Sequence, residues 1–348
     1  MEEINMVNGI IRIGIVGAGA NTISRHIPGF RAIDGVRVAG ICNRSRLSTE
    51  AVARQFGIPS VYDHWTDMVD DNELDAIMIG TWPYLHCPVT LAALANGKHV
   101  LCEARMAMNS DEARRMRDAS RRVPSLVAQV VPAPVTLRVD AMAQRLIAAG
   151  FLGDILALEV RDCTDFPDWT SPLHWREDAD LSGLNTMTLG IWYECAMRWL
   201  GEANMVSASG MTVVKTRKDS DGTLRSIRIP DHVEVSAKMD CGAMAHFTIS
   251  RICGFAGPPV MTVYGSDGTI RFSKDTLESG KRGDSMSLVS IPPEIEGGWQ
   301  VEDEFIRAIR GIEPVRRTTF DDGARYMEFT QAVAESIAKS KTIPIRRD

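Results

Sequence analysis

Between Ile11 and Val131 the chain alternates short apolar runs of strand length with segments of helical spacing. That grammar leaves few folds open. Parallel strands can share a sheet only through crossovers long enough to hold a helix, and such sheets are covered on both faces. The runs Ile11–Val16, Val36–Cys42, Ala76–Ile79, His99–Cys102 and Leu126–Val131 read as the strands. Ser48–Phe56 and Cys87–Asn96 read as helices between them, closed by Gly57 and Gly97, which accept the left-handed conformation at a helix end. Asn109 or Ser110 caps the next helix, whose first turn carries Asp111 and Glu112 where negative charge suits the dipole. The expected fold class is α/β, with a doubly wound parallel sheet in the first part of the chain.

After Pro132 and Pro134 the pattern changes. A helix over about Asp140–Ala149 ends at Gly150, and an alternating strand follows through Ile155–Asp162. His232–Met239 and Met244–Ser250 alternate with period two, as antiparallel strands with one covered face do. Helices near Val301–Arg310 and Gly323–Ala338 close the chain. At 348 residues, about two domains are expected. A formal net charge of −6 argues against a nucleic-acid partner and leaves a small-molecule substrate as the expected one. The seven cysteines are scattered, with no CxxC and no Cys–His zinc spacing, so reduced thiols and no metal are expected. No basic leader precedes the first apolar run, and no run approaches the roughly 20 residues a membrane helix requires. A cytoplasmic protein without membrane association is the expectation.

The segment IGIVGAGANT places Gly17 and Gly19 directly after the first strand and before a helix. Lacking a β-carbon, they allow a tight turn and close approach of a pyrophosphate, which the helix N-terminus stabilises. Thr22 stands where the third glycine of GxGxxG would be; the competing reading is a glycine turn that binds nothing. About 20 residues on, where a ribose-binding carboxylate is expected, the chain reads Asn43-Arg44-Ser45-Arg46. Arginines before a helix oppose its dipole, and a 2′-phosphate would explain them. NADP is therefore favoured, NAD stays open, and a solvated basic turn is the alternative.

The segments GAGANTISRHIPGF, TWPYLHCPVTLAALANGKHVLCEARMA, WRED, LGIWYECAMRWLG, VYGSDGTIRF and DGARYMEFTQAVAESIAKSKTIPI occur in this order along nearly the whole chain. Together they resemble the Gfo/Idh/MocA oxidoreductases, named for glucose-fructose oxidoreductase and inositol dehydrogenase. The resemblance implies a Rossmann NAD(P)-binding domain over residues 1–132. It also implies, over 133–348, an α/β domain for substrate and oligomer contacts with a large open, mainly antiparallel sheet. A homo-oligomer, dimer or tetramer, is implied on that ground alone. Asn21, Thr22, Asn43, Arg44, Ser45, Thr81, Trp82, His86 and Glu103 are then expected around the cofactor with Gly17 and Gly19; Trp82 either covers the nicotinamide ribose or fills space.

The resemblance also exposes a departure. Typical members carry Glu-Lys-Pro where this chain has Glu103-Ala104-Arg105, and an aspartate and a histidine where it has Thr188 and Trp192. A further common aspartate is Cys195. Neither Thr nor Trp titrates near neutrality, and Arg105 stays protonated, so none is an ordinary base. Arg105 can still polarise a carbonyl or hold a carboxylate. If residues 185–199 are helical, Asn185, Thr188, Trp192 and Cys195 share one stripe, and Tyr193 and Glu194 turn away. Core packing is the competing reading for Trp192 and the favoured one for Cys195. In DCTDFPDWTSPLHWRED, Trp169 and Trp175 offer stacking faces, His174 is the candidate general base against a plain surface role, and Arg176 reads as structural.

Three functions fit these residues. The first is an NADP-dependent oxidoreductase moving hydride between nicotinamide and a hydroxyl or carbonyl carbon of a sugar, cyclitol or related cyclic compound, tilted toward reduction because that direction needs less of a base. The second is redox-neutral sugar elimination through transient oxidation. The third is a nucleotide-sensing regulator without catalysis.

Overall fold

A computed structural model describes residues 9–346. The chain divides into two compact units, Met1–Pro132 with Gln300–Ala324, and Ala133–Trp299 with Arg325–Asp348. The change of pattern at Pro132 falls on this division. Residues 300–324, grouped in the sequence reading with the second domain, instead join the first unit.

The first unit holds β1 (Ile11–Val16), β2 (Val36–Cys42), β3 (Ser60–Val61), β4 (Ala76–Ile79), β5 (His99–Cys102) and β6 (Ala128–Val130). They form a six-stranded sheet in the order β3-β2-β1-β4-β5-β6, parallel at every pairing. The order reverses between β1 and β4, and a crevice opens at the carboxyl ends of strands at such a point. All four residues of β4 are completely buried, as a centrally placed parallel strand requires. β6 is shorter than the expected Leu126–Val131. The Val127 amide donates to His99 Nδ1 at 2.8 Å, so a side chain takes the place of a ladder partner. Burial brings the His99 pKa down to about 4, which keeps that nitrogen an acceptor.

The helices of this unit are α1 (Ile27–Arg31), α2 (Arg46–Phe56), α3 (Trp65–Asp70), α4 (His86–Ala95), α5 (Ser110–Arg122) and, much later in the chain, α9 (Val301–Ile309). α2 begins two residues before the expected Ser48, because the Ser45 hydroxyl caps it by accepting from the Ser48 amide at 3.3 Å. Phe30 of α1 meets Phe305 of α9 edge-on, with centroids 6.4 Å apart.

The second unit contains α6 (Asp140–Ala148), β7 (Ile155–Cys163), α7 (Ala179–Ser182), α8 (Leu189–Leu200), β8 (Ala203–Met211), β11 (His232–Met239), β12 (Met244–Ser250), β13 (Val260–Gly265), β14 (Gly268–Ser273), β15 (Thr276–Lys281), β16 (Ser287–Leu288) and β17 (Ile343–Pro344). A separate hairpin pairs β9 (Thr216–Lys218) with β10 (Leu224–Ser226). The large sheet has nine strands in the order β16-β15-β14-β13-β7-β12-β11-β8-β17. Only its β7–β12 pairing is parallel. Val233, Val235, Ala237, Phe247 and Ile249 are buried, and Glu234, Lys238 and His246 between them are exposed. One face is therefore covered. Tyr193 of α8 stacks on Phe329, in α10 (Phe320–Lys339), at 3.6 Å, and meets Phe247 edge-on, which identifies the helices on that face.

The helix expected over 185–199 starts late. Met187 has φ +45°, a left-handed conformation that a right-handed helix cannot pass through, so α8 opens at Leu189 with Thr188 in the capping position. Asn185 therefore does not share a helical stripe with Thr188 and Trp192; it lies in the preceding turn, donating to the Ser182 carbonyl at 2.7 Å. Among the described residues, no helix is long and apolar enough to cross a membrane, and no cluster of His, Cys, Asp or Glu is arranged to hold a metal.

Candidate nucleotide and substrate sites

At the switch point of the first unit lies a cavity of about 470 Å³ lined by Gly17, Gly19, Asn43, Arg44, Thr81 and Trp82, among others. The two glycines are there for different reasons. Gly17 has φ +87°, and a β-carbon on it would stand 2.6 Å from Thr81 Cγ2 and 2.8 Å from the Thr81 amide nitrogen. The fold itself requires that glycine. A β-carbon on Gly19 would meet only the Gly80 carbonyl, at 3.7 Å, which is ordinary contact. Nothing in the protein needs Gly19 to be bare, so the open space belongs to whatever enters the cavity.

Thr22, standing where a third glycine would be, is buried, and its hydroxyl donates to the Gly17 carbonyl at 3.2 Å. It braces the turn and does not line the cavity. Asn43 joins the turn to the end of β2: its Oδ1 accepts from the Ala18 amide at 2.6 Å and its Nδ2 donates to the Ser48 carbonyl at 3.3 Å. Ser45 is spent on its helix cap. Arg46 is tied to Glu50 at 2.7 Å and Asp63 at 3.0 Å on the surface. Arg44 is different. It lines the cavity, lies 5.4 Å from the centroid of the Trp82 ring, and makes no ion pair among the described residues. The buried Thr81 hydroxyl also has no hydrogen-bond partner. A glycine-lined turn, an uncommitted guanidinium against an indole and an unpartnered hydroxyl fit a dinucleotide.

Just after β5, the Glu103 carboxylate is held from three sides. Its Oε1 accepts from Asn21 Nδ2 and from His26 Nε2, the latter at 3.0 Å, and its Oε2 accepts from the Ala104 amide at 3.1 Å. The other His26 nitrogen, Nδ1, lies 2.5 Å from Glu302 Oε1. Burial disfavours a charged His26, but the hydrogen bonds and charges of Glu103 and Glu302 outweigh it and raise its pKa to about 9. His26 is thus an imidazolium bridging two carboxylates. Burial also opposes a charged Glu103, yet the His26 contact keeps its pKa below the usual range. Asn21 and Glu103, expected at the cofactor, are first of all partners of each other. His26 and Glu302 were not singled out in the sequence; a histidine inside GAGANTISRHIPGF gives no sign of a partner 276 residues away.

His86 is completely buried, with Nδ1 2.9 Å from the Arg105 carbonyl and Nε2 2.9 Å from the Thr81 carbonyl. Burial lowers its pKa, so the neutral ring donates to one carbonyl at a time and links the two loops. Arg105 follows a cis peptide, and its Nη1 is buried without a hydrogen-bond partner.

In the second unit, the two non-titrating residues Thr188 and Trp192 converge. Thr188 Oγ1 donates to Asp162 Oδ2 at 2.7 Å, and the Trp192 indole donates to the same oxygen at 2.8 Å. Asp162 stands at the end of the expected strand and opens the segment DCTDFPDWTSPLHWRED. The available signal was the alternation of β7, which puts this acid on the face of the buried Leu158 and Val160. Cys195 is a packed core residue, and Tyr193 and Glu194 are buried. His174 lies at the surface, lining a separate cavity of about 280 Å³ with Arg176, Glu177 and Arg251. Burial and the Arg176 charge lower its pKa, and its Nδ1 already accepts from the Arg176 amide at 3.3 Å. Arg176 covers the Trp175 ring at 4.2 Å, and Trp169 is 66% exposed.

Residues 11–129 match the model of an oxidoreductase family with an NAD-binding Rossmann fold, and residues 141–271 match the GFO/IDH/MocA C-terminal domain. A levoglucosan dehydrogenase from Pseudarthrobacter phenanthrenivorans is 25% identical over 99% of each chain. An uncharacterized oxidoreductase from Rhizobium meliloti is 28% identical over 43% of this chain, a match spanning 45% of that protein's length. Among solved structures, a levoglucosan dehydrogenase in complex with NADH superposes with a TM-score of 0.85, covering 97% of this chain and 100% of the other at 22% identity.

Proposed function

The chain belongs to the Gfo/Idh/MocA oxidoreductase family, and from that premise we propose an NADP-dependent enzyme acting on a hydroxyl or carbonyl carbon of a sugar, cyclitol or similar cyclic compound. The full-length relative is named for levoglucosan, a cyclic carbohydrate, which supports the substrate class. The bound nicotinamide supplies the hydride donor or acceptor. Gly17 and Gly19 form the turn that admits the pyrophosphate, Thr81 and Trp82 line the cavity, and Arg44 holds a 2′-phosphate. His26 keeps Glu103 ionised and fixed at the strand end.

The single observation that carries the reading is Arg105 Nη1, a buried guanidinium nitrogen left without a partner. Such a group is costly unless a ligand oxygen completes it. Arg105 accordingly polarises the substrate carbonyl or the developing alkoxide. The test pairs fluorescence titrations with NADPH and NADH against turnover of levoglucosan, aldoses and cyclitols. NADPH is expected to bind more tightly, and Arg105→Ala to lower turnover about 100-fold with nucleotide affinity nearly unchanged. Equal loss of binding and turnover would move Arg105 to the nucleotide. Binding of neither nucleotide would overturn the whole reading.

A further inference from the structure

The second unit holds a cavity of its own, of about 280 Å³, which shares no lining residue with the nucleotide cavity. Val214, Ile227 and Ile229, all buried, form an apolar wall with Met187 and Pro230. The rest of the lining carries charge or a titratable ring, and its acids and bases differ in one respect. The acids are already engaged. Asp231 accepts from the Val213 and Val214 amides at 2.9 Å, and Glu177 accepts from Arg217 Nε at 2.9 Å and from the His174 amide at 3.1 Å.

The basic groups still have donors to give. The Arg251 amide donates to the Asp231 carbonyl at 2.9 Å, which anchors its backbone, but among the described residues its guanidinium makes no ion pair or hydrogen bond. His174 Nδ1 accepts from the Arg176 amide at 3.3 Å, so the neutral ring carries its proton on Nε2, which has no hydrogen-bond partner among the described residues. Trp175 holds Arg176 in place, with the guanidinium carbon 4.2 Å from the ring centroid. Burial first, then the charges of Arg176 and Arg251, lower the His174 pKa, and Glu177 opposes them without prevailing. The cavity is therefore rich in N–H donors and in positive charge that its own acids do not answer. An anion relieves that repulsion and completes the donors. A bare hydrated ion gains nothing from the apolar wall, so the anion has an organic body.

We propose that this cavity binds a small organic oxyanion, a carboxylate or phosphate monoester on an apolar body. Its oxygens take the N–H groups of Arg251, Arg176 and His174, and its body rests on Ile227 and Ile229. The site lies within the second unit alone and stands whether or not the first unit holds NADP.

Wild type, Arg251→Gln and His174→Gln are titrated calorimetrically near neutral pH with benzoate, phenyl phosphate and the neutral benzyl alcohol, with and without NADPH. Both side chains are exposed, so the variants should unfold near the wild-type temperature; should one unfold early, the other decides. At least one anion should bind wild type with a Kd of about 1 mM or tighter, and benzyl alcohol about tenfold more weakly or worse. The better-bound anion identifies the oxyanion. Arg251→Gln should weaken it about tenfold and His174→Gln by less, because a charged donor contributes more than a neutral one. NADPH should leave its affinity unchanged. No binding of either anion at roughly 10 mM overturns the proposal, as does equal affinity for benzyl alcohol. Full affinity in both folded variants places the anion elsewhere and overturns it too. So does displacement of the anion by NADPH, which assigns it to the nucleotide cavity.

Discussion

Each unit buries one cation between two carboxylates, and the choice of cation separates them. In the first unit His26 stands between Glu103 and Glu302, at 3.0 and 2.5 Å. In the second, Arg198 reaches Asp140 at 2.8 Å and Glu194 at 3.0 Å, and also donates to the Ala133 carbonyl and the Thr136 hydroxyl. Burial works against the Arg198 charge, but the neighbouring anions raise its pKa further from any accessible pH. Arginine makes a permanent knot. Histidine makes one that the loss of a proton can untie, and its knot is attached to Glu103 at the end of β5. The lesson is that the same three-charge arrangement serves as a fixed brace in one place and as a titratable brace in another.

The largest expected effect comes from untying the permanent knot. Arg198→Met removes the cation shared by the buried Asp140 and Glu194 and should cost about 3–5 kcal/mol in denaturant unfolding. A change under about 1 kcal/mol would show that the pair is dispensable.

The second effect belongs to the wild type. The folded His26 pKa, about 9, exceeds the unfolded value of 6.5, so its contribution is complete below about 6.5 and disappears as pH rises through about 9. Stability should therefore fall by on the order of 3 kcal/mol across that window. The decline should be absent in His26→Gln and retained in Arg198→Met. A flat profile in wild type would remove the distinction between the two braces.

A smaller effect sharpens the comparison. Glu302→Gln leaves His26 with one carboxylate, and should lose about 1.5–3 kcal/mol at pH 6 and less at pH 9, where the imidazolium is already going. Equal losses at both pH values would mean that Glu302 supports the fold through its other contacts alone.

Much of the architecture was legible because the inner strands are nearly unbroken apolar runs. The ends of β1, β2, β4 and β5 coincide with those runs to the residue. The misreadings have local causes. His99 takes the Val127 amide and shortens β6, and the left-handed Met187 delays α8, so Asn185 leaves the stripe. Neither is visible in hydrophobic periodicity. The glycine turn and Arg44 could be read from order along the chain alone, whereas Thr22, Ser45 and His86 turned out to brace neighbours rather than face the cavity. His26 and Asp162 escaped for opposite reasons. The first depends on a partner far away in sequence, which no local pattern encodes. The second was marked by the strand's alternation, an acid on the apolar side, and was overlooked because strand ends tolerate polar residues.

The return of residues 300–324 to the first unit bears on how the chain is made. Val301, Phe305 and Ile306 of α9 are buried, and Glu302 completes the His26 knot across 276 residues. At a synthesis rate of about 5–20 residues per second, a nascent chain that has finished β6 would wait roughly ten to thirty seconds for that helix to emerge. During this interval Phe30 lacks its aromatic neighbour and His26 lacks one of its two anions. The cofactor-binding unit thus stays incomplete until a helix far downstream of β6 has been made, and until then it is the part of the nascent protein with most to gain from a chaperone.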